Sequence, residues 1–135
     1  MLTDMDTITW FFASQVERES IETVASKNGF TLPEDLIQLI LEGNNGTPSK
    51  KKFDSAHGKE HMVKTLLSYN PEDIENIYDA INVLKESCYR LYPIANDPAG
   101  NLICLSPKGV VLWNHEDDSI DTIASDVSTF LSLLY

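Results

Sequence analysis

Three histidines come closest to a catalytic or metal site by residue type and spacing. His57 and His61 stand four positions apart in the segment His-Gly-Lys-Glu-His. A zinc-binding helix of the metalloprotease type needs Glu directly after the first histidine, but this chain has Gly58 there, in a stretch typical of a loop. Zinc binding would also need His115 as a third ligand. Surface histidines are the simpler interpretation, so we expect no metal and no cofactor.

Nucleophilic catalysis has no better support in the sequence. Cys88 and His115 are the right residue types for a nucleophile and its base, but Cys88 ends a predicted helix and no catalytic signature surrounds it. No serine lies in a Gly-x-Ser-x-Gly motif, and there is no glycine-rich phosphate loop. We therefore predict no catalytic residue and a protein that is not an enzyme.

Acidic side chains crowd one short segment, in which positions 116–121 hold four acids. A calcium-binding loop would alternate its ligands and carry a central glycine, and both features are absent. Two interpretations stay open: a solvated loop in which Asp118 or Ser119 caps the following helix, and an acidic contact patch for a partner. The candidate partner-binding acids, including one in an earlier turn, are Asp97, Glu116, Asp117, Asp118 and Asp121.

The charge balance narrows the choice of partner. The chain has 21 acidic and 10 basic residues, a net charge of −11, and the part after residue 70 carries −8 of it. Such a field repels phosphate backbones and anionic lipid, so we expect neither direct nucleic-acid binding nor membrane binding. It attracts a basic protein and speeds the encounter with it. Solubility alone is the alternative explanation of the charge.

Length and composition predict one globular domain over residues 1–135, large enough to bury a core without disulfide bonds or bound metal. No apolar run approaches the ~20 residues of a membrane helix, and the first residues lack a secretory leader. Cys88 and Cys104 fall on different predicted elements, which favours reduced thiols. We therefore expect a cytoplasmic protein, whose oligomeric state the sequence leaves open.

The first third of the chain is predicted to form three helices followed by a turn. Apolar residues recur at near-helical spacing over 7–16, and residues 1–16 are predicted to contain an N-terminal helix. A second helix runs over 17–28 and a third begins at Pro33, a residue suited to a first helical turn. Trp10 is by type a packing residue, or else an aromatic anchor for a partner.

The rest of the chain predicts mainly strands between two further helices. Strands are expected over 50–54, 62–69, 90–95, 102–105 and 110–113. Lysines 50–52 are interpreted as protection of an exposed edge strand. One helix is predicted to open with Asn70 as N-cap, and a last helix to carry Ile120, Ile123, Val127, Phe130 and Leu134 on one face. Helices around an antiparallel meander make an α+β fold.

The order of these signals resembles the SUKH superfamily. The matching segments are 32–36 (LPEDL), 44–46 (NNG), 91–97 (LYPIAND), 100–105 (GNLICL), 110–116 (VVLWNHE) and the closing-helix pairs 123–124 and 130–131. The resemblance covers about residues 17–134. Two positions depart from the family pattern: Asn101 stands where many members have an acid, and Val127 where many have an aromatic residue.

The resemblance implies a strongly curved, mainly antiparallel sheet of six strands or fewer, backed by helices, and a task without catalysis. Bacterial members are largely immunity proteins that bind and neutralise nuclease or deaminase toxins, and other members act as regulators or scaffolds. A fold alone does not fix function. Both a cognate toxin of basic charge and a partner unrelated to toxins therefore stay open at this point.

Overall fold

The computed structural model describes residues 8–135. Its helices are α1 Arg18–Lys27, α2 Glu34–Gly43, α3 Ile77–Leu84 and α4 Val127–Leu133. Its strands are β1 Trp10–Phe11, β2 Thr47–Pro48, β3 Lys52–Ser55, β4 Gly58–Met62, β5 Thr65–Leu66, β6 Tyr92–Asn96, β7 Leu102–Ser106, β8 Gly109–Asn114 and β9 Ser119–Ala124. The fold is α+β, as the sequence predicts.

The main sheet has the strand order β5-β6-β7-β8-β9, with every neighbouring pair antiparallel. Strand β8 is buried along nearly its whole length, because both of its faces are covered. In such a meander the β6–β7 and β8–β9 turns lie at the same end of the sheet, and the β7–β8 turn lies at the other. This topology brings together two turns that are distant in sequence.

The hairpin of β3 and β4 is a separate two-stranded sheet that lies beside β9. The Ala56 N–H donates to the Thr122 carbonyl at 2.8 Å. On the side of β3 away from β4, Lys52 and Tyr135 exchange both backbone hydrogen bonds at 2.9 Å. Lys52 therefore has paired backbone on both sides, because it also faces Met62 of β4. The interpretation of lysines 50–52 as edge protection is therefore wrong at Lys52. Strand β4 begins at Gly58, within the connection predicted between the strands over 50–54 and 62–69.

The N-terminal helix predicted over 7–16 is wrong for residues 8–16, while Thr7 lies outside the described residues. Trp10 and Phe11 form β1 instead, and Phe12 has a left-handed φ of 64°. The Trp10 indole packs on Gly43 so closely that an added Cβ would stand 2.7 Å from Cδ2. This tertiary contact overrides the local periodicity. The two following helices are confirmed as α1 and α2.

The helix expected after Asn70 begins six residues late. Asn76 is the true N-cap, and its side-chain oxygen accepts from the Asp79 N–H at 2.8 Å. Asn70 caps a turn instead, accepting from the Glu72 N–H at 3.1 Å. Two capping asparagines six positions apart each predict a helix start, and the sequence pattern alone favoured the wrong one.

The last helix is shorter than predicted, because residues 119–124 form β9. The spacing of Ile120, Ile123 and Ala124 is helical, but the β-branched residues of the segment also suit a strand, and pairing with β8 decides for the strand. Neither Asp118 nor Ser119 caps a helix; Asp126 does, accepting from the Thr129 N–H at 2.7 Å.

The predicted burial of the closing segment is confirmed at Ile123, Val127, Phe130 and Leu134, although the first belongs to a strand. It is wrong at Ile120, which is 36% exposed. The Phe130 ring meets Phe53 of β3 edge-on at 5.7 Å. The β3–β4 hairpin and α4 therefore share one core with the main sheet.

Candidate functional site

The β6–β7 turn, residues 97–101, is built around the carboxylate of Asp97. Its Oδ1 accepts from the N–H groups of Ala99 at 2.9 Å and Asn101 at 2.7 Å, and its Oδ2 accepts from Asn101 Nδ2 at 3.1 Å. Asp97 is only 7% exposed. Gly100 takes the left-handed φ of 89° that closes the turn. Asp97 therefore shapes the turn from inside and does not project from it.

Asn101 ties this turn to the β8–β9 turn, residues 115–118. Its Oδ1 accepts from both the backbone N–H and Nδ1 of His115, at 3.2 and 2.8 Å. A carboxylate at position 101 could accept these bonds but could not donate to Asp97 as the Asn101 amide does. The bonds from His115 join the two turns, which together we call the rim, and the departure from the family pattern adds the bond from Asn101 to Asp97.

Asp118 anchors the second turn of the rim to the protein. It has a left-handed φ of 58°, and its carboxylate accepts from Ser87 Oγ at 2.6 Å, the Cys88 N–H at 2.9 Å and Trp113 Nε1 at 2.7 Å. The bond from the Cys88 N–H, followed by those from Ser87 and Trp113, holds the pKa of Asp118 far below its usual range. This carboxylate is a clamp between the turn and the segment after α3.

Glu116 and Asp117 are the two rim acids that face solvent. Asp117 Oδ1 accepts from the Ser119 hydroxyl at 2.6 Å and the Ser119 N–H at 3.0 Å, and these bonds lower its pKa. Within residues 8–135 the Glu116 carboxylate has no hydrogen-bond or ion-pair partner, while its N–H donates to Asn114 Oδ1 at 2.8 Å. The rim therefore displays two negative charges on a backbone that internal hydrogen bonds fix.

Asp121 lies against the β3–β4 hairpin and joins it to β9. Its Oδ2 accepts from Ser55 Oγ at 2.5 Å and the His57 N–H at 3.1 Å, and its Oδ1 lies 2.9 Å from His57 Nδ1. His61 Nε2 lies 2.9 Å from the same Ser55 Oγ. We call Ser55, His57, His61 and Asp121 the hairpin cluster.

The hairpin cluster has the residue types of a serine hydrolase but not the hydrogen-bond directions. The Ser55 hydroxyl donates to Asp121, so the contact with His61 requires the ring N–H to donate to Ser55 Oγ. A histidine that donates to the serine cannot accept its proton, which is the role of the base in such a triad. The cluster is a fastening of the hairpin in this arrangement.

The other residues considered for chemistry lie apart from one another. His115 belongs to the rim, while His57 and His61 belong to the hairpin cluster. In the part of the chain that the structure describes, no group of three or more His, Cys, Asp or Glu side chains could hold a metal ion. Both cysteines are free thiols: the hydrogen bond from Cys88 to Asp118 raises the pKa of the first, and burial raises that of Cys104.

Trp10 packs against the protein, whereas Ile74 projects from it. Trp10 is half-buried against Gly43, which leaves Phe11 and Phe12 as the more exposed aromatic residues nearby. Ile74 falls within the helix predicted to open at Asn70, but it is 93% exposed ahead of α3. The second capping asparagine, Asn76, is the signal that would have corrected this assignment.

Fold and site together define an α+β protein in which acid-bearing turns are held rigidly at one end of an antiparallel sheet. The sequence profile of the SMI1 / KNR4 family (SUKH-1) matches residues 15–133, and the chain belongs to this family. The family is generally non-catalytic and commonly includes immunity proteins, but also proteins with other roles. No curated protein matches the chain. Among residues 8–135, no helix has the length and apolar character to cross a bilayer.

Proposed function

We propose that this chain is a cytoplasmic, non-catalytic protein-binding module that acts as an immunity protein. Its partner is a cognate toxin of the nuclease or deaminase class, which it neutralises by direct binding. Membership of the SUKH-1 family supports the class of function. The observation that supports this choice of binding face is the rim, where Glu116 and Asp117 project from the second of two hydrogen-bonded turns.

The physical argument rests on charge and rigidity. An enzyme that acts on nucleic acid carries a basic groove, and two fixed carboxylates can occupy the place of phosphates there. Because the rim turns are held by internal hydrogen bonds, little conformational entropy is lost when they bind. In this arrangement Glu116 and Asp117 contact the toxin, while Asp97 and Asp118 hold the turns in shape. Asp121 fastens the neighbouring hairpin.

The test is binding to the toxin domain encoded beside this chain's own gene, at low and high salt. The variant combines Glu116→Lys with Asp117→Asn, because asparagine preserves the acceptor for the Ser119 N–H. We expect association at low salt to slow by about tenfold or more and its salt dependence to flatten, since exposed charges act mainly on the association rate.

The matched control combines Glu17→Lys with Glu42→Gln, two exposed acids outside the rim whose replacement changes the net charge equally. Equal slowing by variant and control would mean that only the total charge matters, and would remove the rim as the binding face. A toxin domain that the wild-type protein neither binds nor neutralises would contradict the immunity role. It would favour the regulatory or scaffold function that the family also contains.

A further inference from the structure

A cleft lies between α3 and the β6–β7 turn, next to the rim. Its volume is about 190 Å³, and its floor is formed by the buried side chains of Leu67, Ala80 and Leu102. Ile74 and Val83 stand at its sides and are 93% and 52% exposed. Single exposed apolar residues are common, but two that line one cleft with an apolar floor form a continuous apolar surface.

Ile74 is held outward by the segment that precedes α3. The Asp73 N–H donates to the Asn70 carbonyl at 3.1 Å, and Asn76 Nδ2 donates to the Asp73 carbonyl at 3.0 Å. On the C-terminal side of Ile74, the Ser68 N–H donates to the Glu75 carbonyl at 2.9 Å. The backbone is therefore fixed on both sides of a branched side chain, which loses little entropy when a partner covers it.

The ionisable side chains that line the cleft are acidic. Glu75 is satisfied within the protein, by Lys64 Nζ at 2.6 Å, Thr65 Oγ1 at 3.0 Å and Asn96 Nδ2 at 2.8 Å. Asp79, in contrast, accepts from Asn76 Nδ2 at 3.1 Å and stands on the exposed surface of α3.

The cleft opens toward the second turn of the rim. Gly100 lines it, and a Cβ at Gly100 would stand 3.5 Å from the His115 ring. Glu116 follows His115 directly in that turn. The apolar cleft is therefore lined by Asp79, and the turn that carries Glu116 and Asp117 lies next to its Gly100 edge.

We propose that this cleft binds a segment of the partner in which an aliphatic side chain is flanked by lysine or arginine. The inference rests on the proposed function and names the part of the basic partner that is recognised. The aliphatic side chain packs between Ile74 and Val83, and the flanking cations face Asp79 and Glu116. A cavity of about 150 Å³ takes up benzene, so a cleft of this size accommodates one such side chain. A second copy of this acidic chain would bring like charges together, which disfavours self-association through this face.

The experiment follows amide chemical shifts of the whole protein during titration with the peptide Lys-Lys-Leu-Lys-Lys. We expect the largest shifts at Ile74, Asp79 and Val83. The analogue Lys-Lys-Ser-Lys-Lys should bind about tenfold more weakly or worse, because it lacks the apolar side chain. The analogue Glu-Glu-Leu-Glu-Glu should not bind, because its charges repel those of the cleft.

The paired variant is Ile74→Ser with Val83→Ser, and the control is Leu133→Ser, a 47% exposed residue of α4 outside the cleft. The paired variant should lose the preference for leucine over serine, and the control should keep it. Equal binding of the two basic peptides, shifts confined to residues outside the cleft, or no binding of any peptide would each overturn the proposal. This titration contains no toxin, so its result is independent of the toxin-binding test. The peptides can fail to bind the cleft while the toxin still binds the protein, and they can bind the cleft while the toxin does not bind.

Discussion

The rim and the hairpin cluster both combine acids with histidine, yet the structure uses their charges differently. In the hairpin cluster the one acid, Asp121, accepts three hydrogen bonds from Ser55 and His57 and fastens the hairpin. In the rim, Asp97 and Asp118 each accept three hydrogen bonds in the same manner. The rim then carries two more acids that face solvent.

The difference teaches that a dense run of acids is not in itself a contact surface. The number of nearby donors decides which carboxylates are internal fastenings and which remain available to a partner. Acids two positions apart can take opposite roles, because Asp118 accepts from three donors while Glu116 projects into solvent. The three predictions below separate the fastening role from the display role in the two regions.

The largest effect is expected where the hairpin meets the core. Phe130→Ala should lower the free energy of unfolding by about 3–5 kcal/mol, because the Phe130 ring is 2% exposed and packs on Phe53 of the hairpin. Urea unfolding measures this, and the exposed Leu133→Ala is the control, with an expected loss below about 1 kcal/mol. Amide exchange should rise more in the hairpin than in the rim. Equal increases in both would show that the two regions unfold as one unit.

A smaller but clear loss of stability is expected from Asp118→Ala. The Trp113 indole, the Ser87 hydroxyl and the Cys88 N–H all lose their acceptor, and Trp113 is buried. The melting temperature should therefore fall several times further than in Asp117→Ala, the neighbouring acid that faces solvent.

Cys88 gives a second measurement of the Asp118 clamp. Asp118 raises the pKa of this exposed thiol, so its removal should speed alkylation by iodoacetamide at pH 8. If Asp117→Ala destabilised the protein as much as Asp118→Ala does, or made Cys88 as reactive as Asp118→Ala does, the two acids would not have the different roles proposed here.

The smallest effect concerns the pH dependence of the hairpin cluster. Partial burial raises the pKa of Asp121, but hydrogen bonds from Ser55 and His57 outweigh it and lower the pKa overall. A carboxyl with a depressed folded-state pKa stabilises the protein above its unfolded pKa of about 3.9 and loses that contribution as the pH falls through the folded value. The unfolding midpoints of wild type and Asp121→Asn should therefore differ more at pH 7 than at pH 3.

Glu116→Gln is the control for this pH dependence, because Glu116 is an exposed acid of the rim. Its difference from wild type should stay small at both pH values. A difference for Asp121→Asn that persists undiminished at low pH would mean that the carboxylate charge does not contribute to fastening the hairpin.

The sequence by itself determined the α+β class, helices α1 and α2, and the central strands β6, β7 and β8. These elements carry strong local signals: Asn28-Gly29 ends α1, Pro33 begins α2, and a Pro-Lys-Gly turn joins β7 to β8. The apolar pattern of the closing segment also identified four buried residues, although it assigned Ile123 to the wrong element and counted the exposed Ile120 among them.

Only the tertiary structure decided the remaining elements and the roles of the acids. Residues 8–16 and 119–124 have patterns that suit more than one structure, and the contact of Trp10 with Gly43 and the pairing of β9 with β8 select one. Which rim acids are held internally depends on donors such as Trp113 and Cys88. The role of Asp121 depends on Ser55, which lies 66 positions away in sequence. A carboxylate becomes a fastening only where folding brings donors to it, and no local pattern records that approach.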